Sequence, residues 1–282
     1  MQYDAAVLEQ VAQRFRRGMW QSVVEEAVSE CGVEVASFGT VQATAFGDLP
    51  EVGSLNQIQG AAEPGAVESG DLGRAVEWMR AREVDYRVPV AEGRPGTAEA
   101  SAWLGARGYE LGGGWIKFVR QAGPPMLPED PEITIFELGE EIDGEGLSTI
   151  ASEELELPVT AGTLFFALPQ EEGWRCYTAA LDPEEGVVAT GAMLIHEGVA
   201  QLGPGTTREH ARGRGCNTAL LRRRLIDAAE AGCHTVFVEL GEREPGMISA
   251  AHRNLHRAGF REAYASRNWQ RPALQPARIR HY

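Results

Sequence analysis

The sequence predicts a protein of the α+β class, a mixed α/β architecture in two similar halves. In both halves, short β-rich runs alternate with stretches that have the periodicity of amphipathic helices. The Pro-rich segment 121–131 separates the halves, because its prolines are incompatible with regular helix or sheet. Each half closes with a predicted helix that ends in a Gly-aromatic pair, Gly108-Tyr109 or Gly259-Phe260, and a predicted strand follows. This shared order indicates an internal duplication.

The first half contains helices and strands in a regular succession. The helices show amphipathic spacing or end at the Gly-Tyr pair, and the strands are short β-rich runs bounded by turn residues. The predicted helices cover residues 5–17, 20–29, 72–82 and 98–107, and the predicted strands cover residues 33–38, 41–46, 55–59, 86–90 and 115–119.

The second half has its clearest pattern between residues 199 and 260. A helix after a central turn has an apolar face and a glycine, Gly232, that can end it. The β-rich run after that helix has no polar alternation, as expected of a strand buried on both faces. The predicted elements are a strand at 199–207, a basic Gly-rich turn, a helix that ends before Gly232, a strand at 235–238 and a helix at 247–258.

The turn between the first of these strands and its helix has the features of a phosphate-binding site. Gly213 and Gly215 let the backbone turn sharply. The amides that begin the helix have no intrahelical partner and carry the positive end of the helix dipole. Arg212 and Arg214 add full positive charges beside those amides. The combination predicts a site for a diphosphate in preference to a single phosphate.

Two common nucleotide-binding loops do not fit this turn. A Walker A loop needs Gly-Lys-Ser/Thr, and the only lysine of the chain, Lys117, is distant in sequence. The dinucleotide-binding fingerprint needs a third glycine where Thr218 stands. It also needs an acid about 20 residues further on, where the chain has Cys233-His234.

A third kind of loop fits better. Residues 212–217 resemble the coenzyme A loop of the GCN5-related N-acetyltransferase (GNAT) family, Arg/Gln-x-x-Gly-x-Gly/Ala, except that Asn217 replaces the last small residue. Residues 251–260 resemble the Gly-Phe ending of the family's fourth helix. The resemblance covers roughly residues 133–270 in element order. For the turn alone, a helix start that is merely rich in glycine and arginine is the alternative.

The resemblance implies two GNAT-like domains, each a central, mostly antiparallel mixed sheet flanked by helices. The first domain is expected to be a degenerate copy, because its matching loop, residues 60–72, is acidic, has no arginine and would repel a diphosphate. An unrelated α/β domain is the alternative for this half. The implied layout is a degenerate domain at 1–120, the linker at 121–131, a domain with the acetyl-coenzyme A site at 132–270 and a tail at 271–282.

The resemblance also implies which residues would hold acetyl-coenzyme A. The backbone at the end of the strand would pair with the pantetheine arm and polarise the thioester oxygen, and the turn and helix start would bind the diphosphate. The expected cofactor-binding residues are Gly205, Thr206, Thr207, Arg212, Gly213, Arg214, Gly215, Cys216, Asn217, Thr218, Asn254 and Arg257.

The acid and base that many members of the family use are missing from the chain. Gln201 stands where many members carry a glutamate base, and an amide cannot usefully accept a proton at neutral pH. Leu255 stands where many carry a tyrosine acid. The expected substitutes are Glu239 as base, directly or through water, at a strand end where ligands of open sheets gather, and Tyr264 as the nearest phenol. Packing in the core or the sheet is the alternative for Tyr264. Gln201 is expected to orient a water or the amine.

Two classes of function follow from these residues. The first is an enzyme that transfers an acetyl or acyl group from acetyl-coenzyme A directly to an amine of a small molecule or protein. The second is a non-catalytic acyl-coenzyme A-binding protein, in which the presence of Gln201 and Leu255 at the positions of the base and the acid reflects a loss of catalysis. In either class, the acceptor side is expected to depend on loops around residues 155–166 and on the first half.

Composition bears on partners and compartment. A net charge of −15 disfavours nucleic acid, which needs a broad basic face, although more than half of the 26 basic residues lie between Arg208 and Arg280. The four cysteines show no paired spacing, and His252 and His256 have no third ligand nearby, so no metal is expected. There is no secretory signal at the start and no run of about 18 apolar residues. We therefore expect a cytoplasmic monomer or homodimer that needs no membrane.

Overall fold

In a computed structural model, the chain is described at residues 3–21, 31–53, 55–139, 145–154, 168–182, 186–242 and 249–272. No helix within these ranges is both long enough and apolar enough to cross a membrane. The helices are α1 (Ala5–Gln21), α2 (Asp71–Arg80), α3 (Thr97–Gly105), α4 (Glu145–Glu154), α5 (Cys216–Glu230) and α6 (Ala250–Arg257). The strands are β1 (Val33–Phe38), β2 (Val41–Phe46), β3 (Gln57–Gln59), β4 (Arg87–Ala91), β5 (Glu110–Leu111), β6 (Trp115–Gln121), β7 (Thr134–Leu138), β8 (Trp174–Ala180), β9 (Ala189–His196), β10 (Val199–Thr207), β11 (Thr235–Gly241) and β12 (Arg261–Gln270).

The chain divides into two compact units, each built from two separate stretches of sequence. The large unit comprises Met1–Val33 and Trp115–Ala265, and the small unit comprises Glu34–Gly114 and Ser266–Tyr282. Helices α1, α4, α5 and α6 belong to the large unit, and α2 and α3 belong to the small unit. Strand β12 begins in the large unit and ends in the small one.

The sheet of the large unit has helices on both faces. Its strands are ordered β12-β6-β11-β10-β9-β8-β7, and β10 and β11 run parallel. Val236 of β11 packs in the same buried cluster as Leu221 of α5. The next residue, Phe237, packs with Leu8 and Val11 of α1. Burial on both faces explains why this strand has no polar alternation in the sequence.

The sheet of the small unit carries α2 and α3. Its strands are ordered β1-β2-β3-β4-β12, with β5 beside β12, and β3 and β4 run parallel. Leu72 and Val76 of α2 and Leu104 of α3 share one buried cluster with Ile58 of β3 and Val88 of β4. The apolar residues of α2 therefore lie on the face of the helix that packs on the sheet.

The predicted fold class is confirmed, and the two halves repeat one order of elements. Apart from the two-residue strand β5, which lies between α3 and β6, the first half reads β1-β2-β3-α2-β4-α3-β6, and the second reads β8-β9-β10-α5-β11-α6-β12. In each half, the strands on either side of the first helix of this series are parallel neighbours. The predicted strands at 33–38, 41–46 and 199–207 have the observed bounds, and α1 continues four residues beyond its predicted end. The predicted helix at 20–29 falls mostly outside the described residues.

The compact units do not follow the predicted division near residue 120. Strand β6, which closes the first half of the sequence, pairs along its length with β11 in the large unit. The end of β12, which closes the second half, pairs with β4 in the small unit. Each half therefore supplies its closing strand to the sheet that carries the helices of the other half. The layout 1–120, 121–131, 132–270 and 271–282 remains a prediction about repeats in the sequence.

Candidate functional site

The end of β10 is where the large sheet opens. The resolved pairing of β10 with β11 covers Val199–Leu202 and stops there, while β10 continues to Thr207. A register shift against β9 lies between Leu202 and Gly205, at the sequence Gly203-Pro204-Gly205. The last residues of β10 are thus bonded to β9 along one edge. Among the described residues no strand pairs with their other edge, where Arg212 Nε donates to the Thr207 carbonyl oxygen at 3.2 Å.

Gly205 also has a structural task that the sequence did not show. It pairs with Gly191 of β9, and the guanidinium of Arg224 on α5 is buried against both glycines. A Cβ on Gly191 would lie 2.9 Å from Arg224 Cζ, and one on Gly205 would lie 3.6 Å from Arg224 Nη1. Burial lowers the pKa of Arg224 to about 10, and its Nη1 donates to the Ala192 carbonyl oxygen at 3.1 Å.

The turn after β10 connects this strand to the amino terminus of α5. Gly213 and Gly215 have φ values of 79° and 93°, in the left-handed region that favours glycine. Gly215 immediately precedes the helix, and no side chain caps it. The first turn of α5 contains no acid, and Ala219 is the first residue to donate to an intrahelical carbonyl, that of Gly215. The amides before Ala219 therefore start the helix without an intrahelical acceptor.

A cavity of about 490 Å³ lies at this terminus. Nine of the twelve expected cofactor-binding residues line it, whereas Gly205, Thr206 and Arg214 do not. The expected residues in its wall are Thr207, Arg212, Gly213, Gly215, Cys216, Asn217, Thr218, Asn254 and Arg257. The remaining lining residues, which sequence reasoning did not select, are Pro128, Asp130, Ala211, Ala219, Ala250 and Ala251.

Helix α6 supplies the wall opposite the turn. Ser249 caps this helix by accepting a hydrogen bond from the His252 amide at 3.3 Å, which fixes where α6 begins. Asn254 Nδ2 donates to Asn217 Oδ1 at 3.4 Å, so the start of α5 and the middle of α6 are joined across the cavity. His252 is buried, with its ring edge against Phe118. Within the described residues, no group of three or more His, Cys, Asp or Glu side chains is arranged to hold a metal.

The expected catalytic residues lie elsewhere, on the α1 face of the sheet, and do not line the cavity. Gln201 is 2% exposed, and its Nε2 donates to Glu239 Oε2 at 3.5 Å. Its Oε1 is buried without a hydrogen-bond partner among the described residues. An amide held in this way presents an acceptor oxygen but cannot act as a general acid or base near neutral pH.

Glu239 is fixed by two cations. Its Oε2 lies 2.7 Å from Arg16 Nη2, and its Oε1 lies 2.7 Å from Lys117 Nζ. Burial alone would raise the pKa of Glu239, but the charges of Arg16 and Lys117, with hydrogen bonds from Lys117 and Gln201, lower this pKa to about 2. A carboxylate with so low a pKa accepts protons poorly near neutrality. The structure therefore disfavours the expectation that Glu239 is the general base.

Tyr264 belongs to the same buried cluster. Its hydroxyl donates to Glu9 Oε1 at 2.8 Å, and Lys117 Nζ donates to the same oxygen at 2.6 Å. Burial raises the pKa of Tyr264 strongly, and the neighbouring Glu9 carboxylate raises it further. The hydroxyl is committed to Glu9 and is remote from the cavity lining, so the geometry gives Tyr264 a structural role in place of the expected acid.

Sequence reasoning missed the partners of this cluster. Arg16 lies 223 residues from Glu239 along the chain, and nothing in the local pattern of α1 links the two. One signal was present: Lys117 is the sole lysine, and it stands between the apolar pairs Trp115-Ile116 and Phe118-Val119. A fully buried lysine requires a partner, so its position pointed to buried carboxylates.

The corresponding helix start in the small unit is closed. Gly70 has φ 77° and precedes α2, as Gly215 precedes α5. The first residue of α2 is Asp71, whose carboxylate accepts a hydrogen bond from Ser69 Oγ at 2.6 Å and pairs with Arg74. The Asp71 side chain is 11% exposed. A carboxylate thus already lies at the positive end of this helix.

Comparison with solved structures finds proteins that share this fold over most of the chain. A GCN5-related N-acetyltransferase from Kribbella flavida is 18% identical, with a TM-score of 0.59, over 92% of this chain and 95% of that one. Another from Sphaerobacter thermophilus is 15% identical, with a TM-score of 0.59, over 83% and 81%. A tandem GNAT protein from the clavulanic acid biosynthesis pathway is 17% identical, with a TM-score of 0.58, over 82% and 77%.

The chain has the GNAT fold, in a tandem arrangement. No protein-family model and no curated protein sequence matches it. At these identities the neighbours establish the fold and leave the activity to be argued from the site. In the GNAT fold of this chain, the second repeat has the open helix start and the cavity, and the first repeat has the closed one.

Proposed function

We propose that the second repeat binds acetyl-coenzyme A at the amino terminus of α5 and transfers the acetyl group to an amine. The observation that carries the proposal is the 490 Å³ cavity at a helix start with no acid in its first turn and no side-chain cap. Such a terminus favours an anion, because free amides and the helix dipole both act on it. The GNAT fold of the neighbours is consistent with this ligand.

The residues of the cavity fit the parts of the ligand. The amides of Cys216, Asn217 and Thr218 would bind the diphosphate, and Arg212 and Arg257 would add charge at the rim. The pantetheine arm would pair with the edge of β10 that faces away from β9, where the Thr207 carbonyl oxygen now accepts a hydrogen bond from Arg212 Nε at 3.2 Å and would exchange that partner for the ligand. Nothing in this assignment needs Arg214, which does not line the cavity.

The chemistry we propose is direct transfer without a dedicated carboxylate base. The amine nitrogen attacks the thioester carbonyl, the carbon–sulfur bond breaks, and the proton that the nitrogen loses ends on the thiol of coenzyme A or in water. Gln201 is 2% exposed and does not line the cavity, so its part would be to support the strand end by donating to Glu239, without contact with the amine. The amine therefore has to arrive in its neutral form, and the rate should rise with pH toward the amine's own pKa.

The second substrate of this reaction is the acceptor of the acetyl group. We propose an amine on a small molecule or a peptide, acetylated in the cytoplasm, without a role for nucleic acid. The loops expected to select it, residues 155–166, lie outside the described residues.

A second candidate is a GNAT-fold protein that binds acyl-coenzyme A without catalysis. Two observations favour it: Gln201 and Leu255 replace the residues that many members of the family use, and Glu239 is held by Arg16 and Lys117. This candidate shares the α5 site with the first, so the two differ only in turnover.

Two measurements test the proposal in sequence. Calorimetric titration of the full chain with coenzyme A should show binding, and absence of binding would contradict both candidates. Release of free thiol from acetyl-coenzyme A in the presence of a panel of small amines and peptides then separates them. Amine-dependent release supports the transferase, and tight binding with no release above the uncatalysed rate supports the binding protein.

A further inference from the structure

The carboxylate of Asp130 lies beside the amino terminus of α5. Asp130 belongs to the Pro-rich segment 121–131 and lines the cavity together with Pro128. A Cβ on Gly215 would lie 3.5 Å from Asp130 Oδ2, so the carboxylate is close to the residue that precedes the helix. Burial raises the pKa of the Cys216 thiol, and the Asp130 charge adds to that increase. The negative charge of Asp130 therefore acts on the first residue of α5.

Asp130 is lightly held in this position. Its Oδ1 accepts a hydrogen bond from the Glu132 amide at 3.1 Å, within its own turn, and its side chain is exposed. In the described part of the chain, no Lys, Arg or His lies within ion-pair distance of it. Its neighbour Glu129 differs, because Glu129 Oε2 lies 2.9 Å from Arg222 Nη2. Asp130 can therefore leave the helix terminus without breaking an ion pair to a described residue.

A carboxylate and a diphosphate would compete for the same positive terminus. In the free protein, the Asp130 charge is favourable, because it lies at the positive end of the α5 dipole. When an anionic ligand binds, the same charge is repelled by the ligand. The small unit shows the permanent form of this arrangement: Asp71 is part of α2 itself and is fixed by Ser69 and Arg74.

We propose that Asp130 sets the affinity of the α5 site for coenzyme A, by occupying the helix terminus in the free protein and giving way to the ligand. This inference rests on the proposed function. It assigns a role in binding to segment 121–131, which the sequence marks only as a linker. The coenzyme A affinity of the chain is lower than the amides and arginines alone would give, by the amount of the Asp130 repulsion.

The test is Asp130→Asn, with Glu129→Gln as the matched control, because both remove one negative charge from adjacent positions. Asp130→Asn should tighten coenzyme A binding by about three- to tenfold in calorimetry, and Glu129→Gln should change it less than twofold. Thermal denaturation gives a second readout. Asp130→Asn should lower Tm without ligand and enlarge the increase in Tm caused by coenzyme A, whereas a purely structural role would lower Tm in both states.

The outcomes separate this inference from the proposed function. Binding by the wild type with no gain in Asp130→Asn, or with an equal gain in Glu129→Gln, would overturn the inference and leave the proposed function standing. No binding by the wild type or either variant would overturn the proposed function. Binding by Asp130→Asn where the wild type binds too weakly to measure would support the inference strongly.

Discussion

The amino termini of α2 and α5 hold corresponding places in the two repeats, yet only one is open to an anion. Both helices follow the third strand of their repeat, and each begins directly after a left-handed glycine, Gly70 or Gly215. At α2 the next residue is Asp71, which puts a buried carboxylate at the terminus. At α5 the next residue is Cys216, and the first turn has no acid. A shared backbone therefore produces a closed terminus in one repeat and a cavity in the other.

For a ligand site, whether a carboxylate is held in place matters more than whether a carboxylate is present. Asp71 and Glu239 are both held by cations and are both largely buried. Asp130 is exposed, and the hydrogen bond that its side chain makes to a described residue lies within its own turn. Fixed carboxylates stabilise the fold, and a carboxylate that can move leaves a site available to a ligand.

The largest expected effect tests whether the Glu239 cluster is structural. Lys117→Met should destabilise the protein by about 3–5 kcal/mol, because Glu9 and Glu239 would remain buried without their shared cation. The comparison variant is Arg74→Met in the small unit, whose side chain is 54% exposed and whose loss should cost about 1 kcal/mol or less. Urea denaturation measures both. Equal effects would show that the Lys117 pair is not a buried structural one.

The pH dependence of stability also tests whether the Glu239 cluster is structural. The pKa of Glu239 is lowered from 4.5 to about 2 in the folded protein, so its stabilisation is complete above pH 4.5 and is lost as the pH falls toward 2. This contribution is on the order of 3 kcal/mol. The free energies of unfolding of the wild type and Glu239→Gln should therefore differ at pH 7 and converge near pH 2. Parallel curves across that range would mean that Glu239 is not held as described.

The next effect compares the contributions of the two helix termini to coenzyme A binding directly. Arg212→Ala combined with Gly215→Val should weaken coenzyme A binding by well over tenfold, because one change removes charge and the other fills the backbone's approach to the ligand. A Cβ at Gly215 would lie 3.2 Å from Ile133 Cδ1 and would force a β-branched residue into left-handed φ. The matched control is Gly70→Val with Arg74→Ala, which imposes a similar strain at α2. Circular dichroism should show that both variants are folded. Equal losses of affinity would refute the distinction between the repeats.

The smallest effect concerns the closed terminus. Asp71→Asn should destabilise the protein by about 1 kcal/mol, because α2 loses the negative charge at its positive end. It should not create a second coenzyme A site, because residues 60–72 have no arginine to match Arg212. Denaturation and ligand titration of the same variant check both statements. Appearance of a second site would mean that Asp71 alone closes α2.

Local sequence patterns were sufficient to predict the turn of the site and the strand and helix on either side of it. Gly213, Gly215 and Arg212 stand within four residues, and the strand and helix on either side have clear periodicity, so the turn could be predicted before the structure. The strands of the first half were likewise predicted because β-branched and apolar residues are bounded by glycine and acidic turns.

The parts that could not be predicted depend on residues far apart in the chain. Glu239 has the position of a base in its strand, but its pKa is set by Arg16, 223 residues away, and by Lys117, 122 residues away. The pairing of β6 with β11 and of the end of β12 with β4 could not be predicted either, because periodicity within a strand does not specify which strand lies beside it. Asp130 was part of a segment identified only by its prolines, and its place beside Gly215 follows from how that segment packs.

The most direct test of the central claim is the stoichiometry of coenzyme A binding to the full chain. If α5 is open and α2 is closed, calorimetric titration of the wild type should give one site per chain, and the variant with Arg212→Ala and Gly215→Val should lose that site. Two equivalent sites, or one site that survives in the variant, would contradict the account.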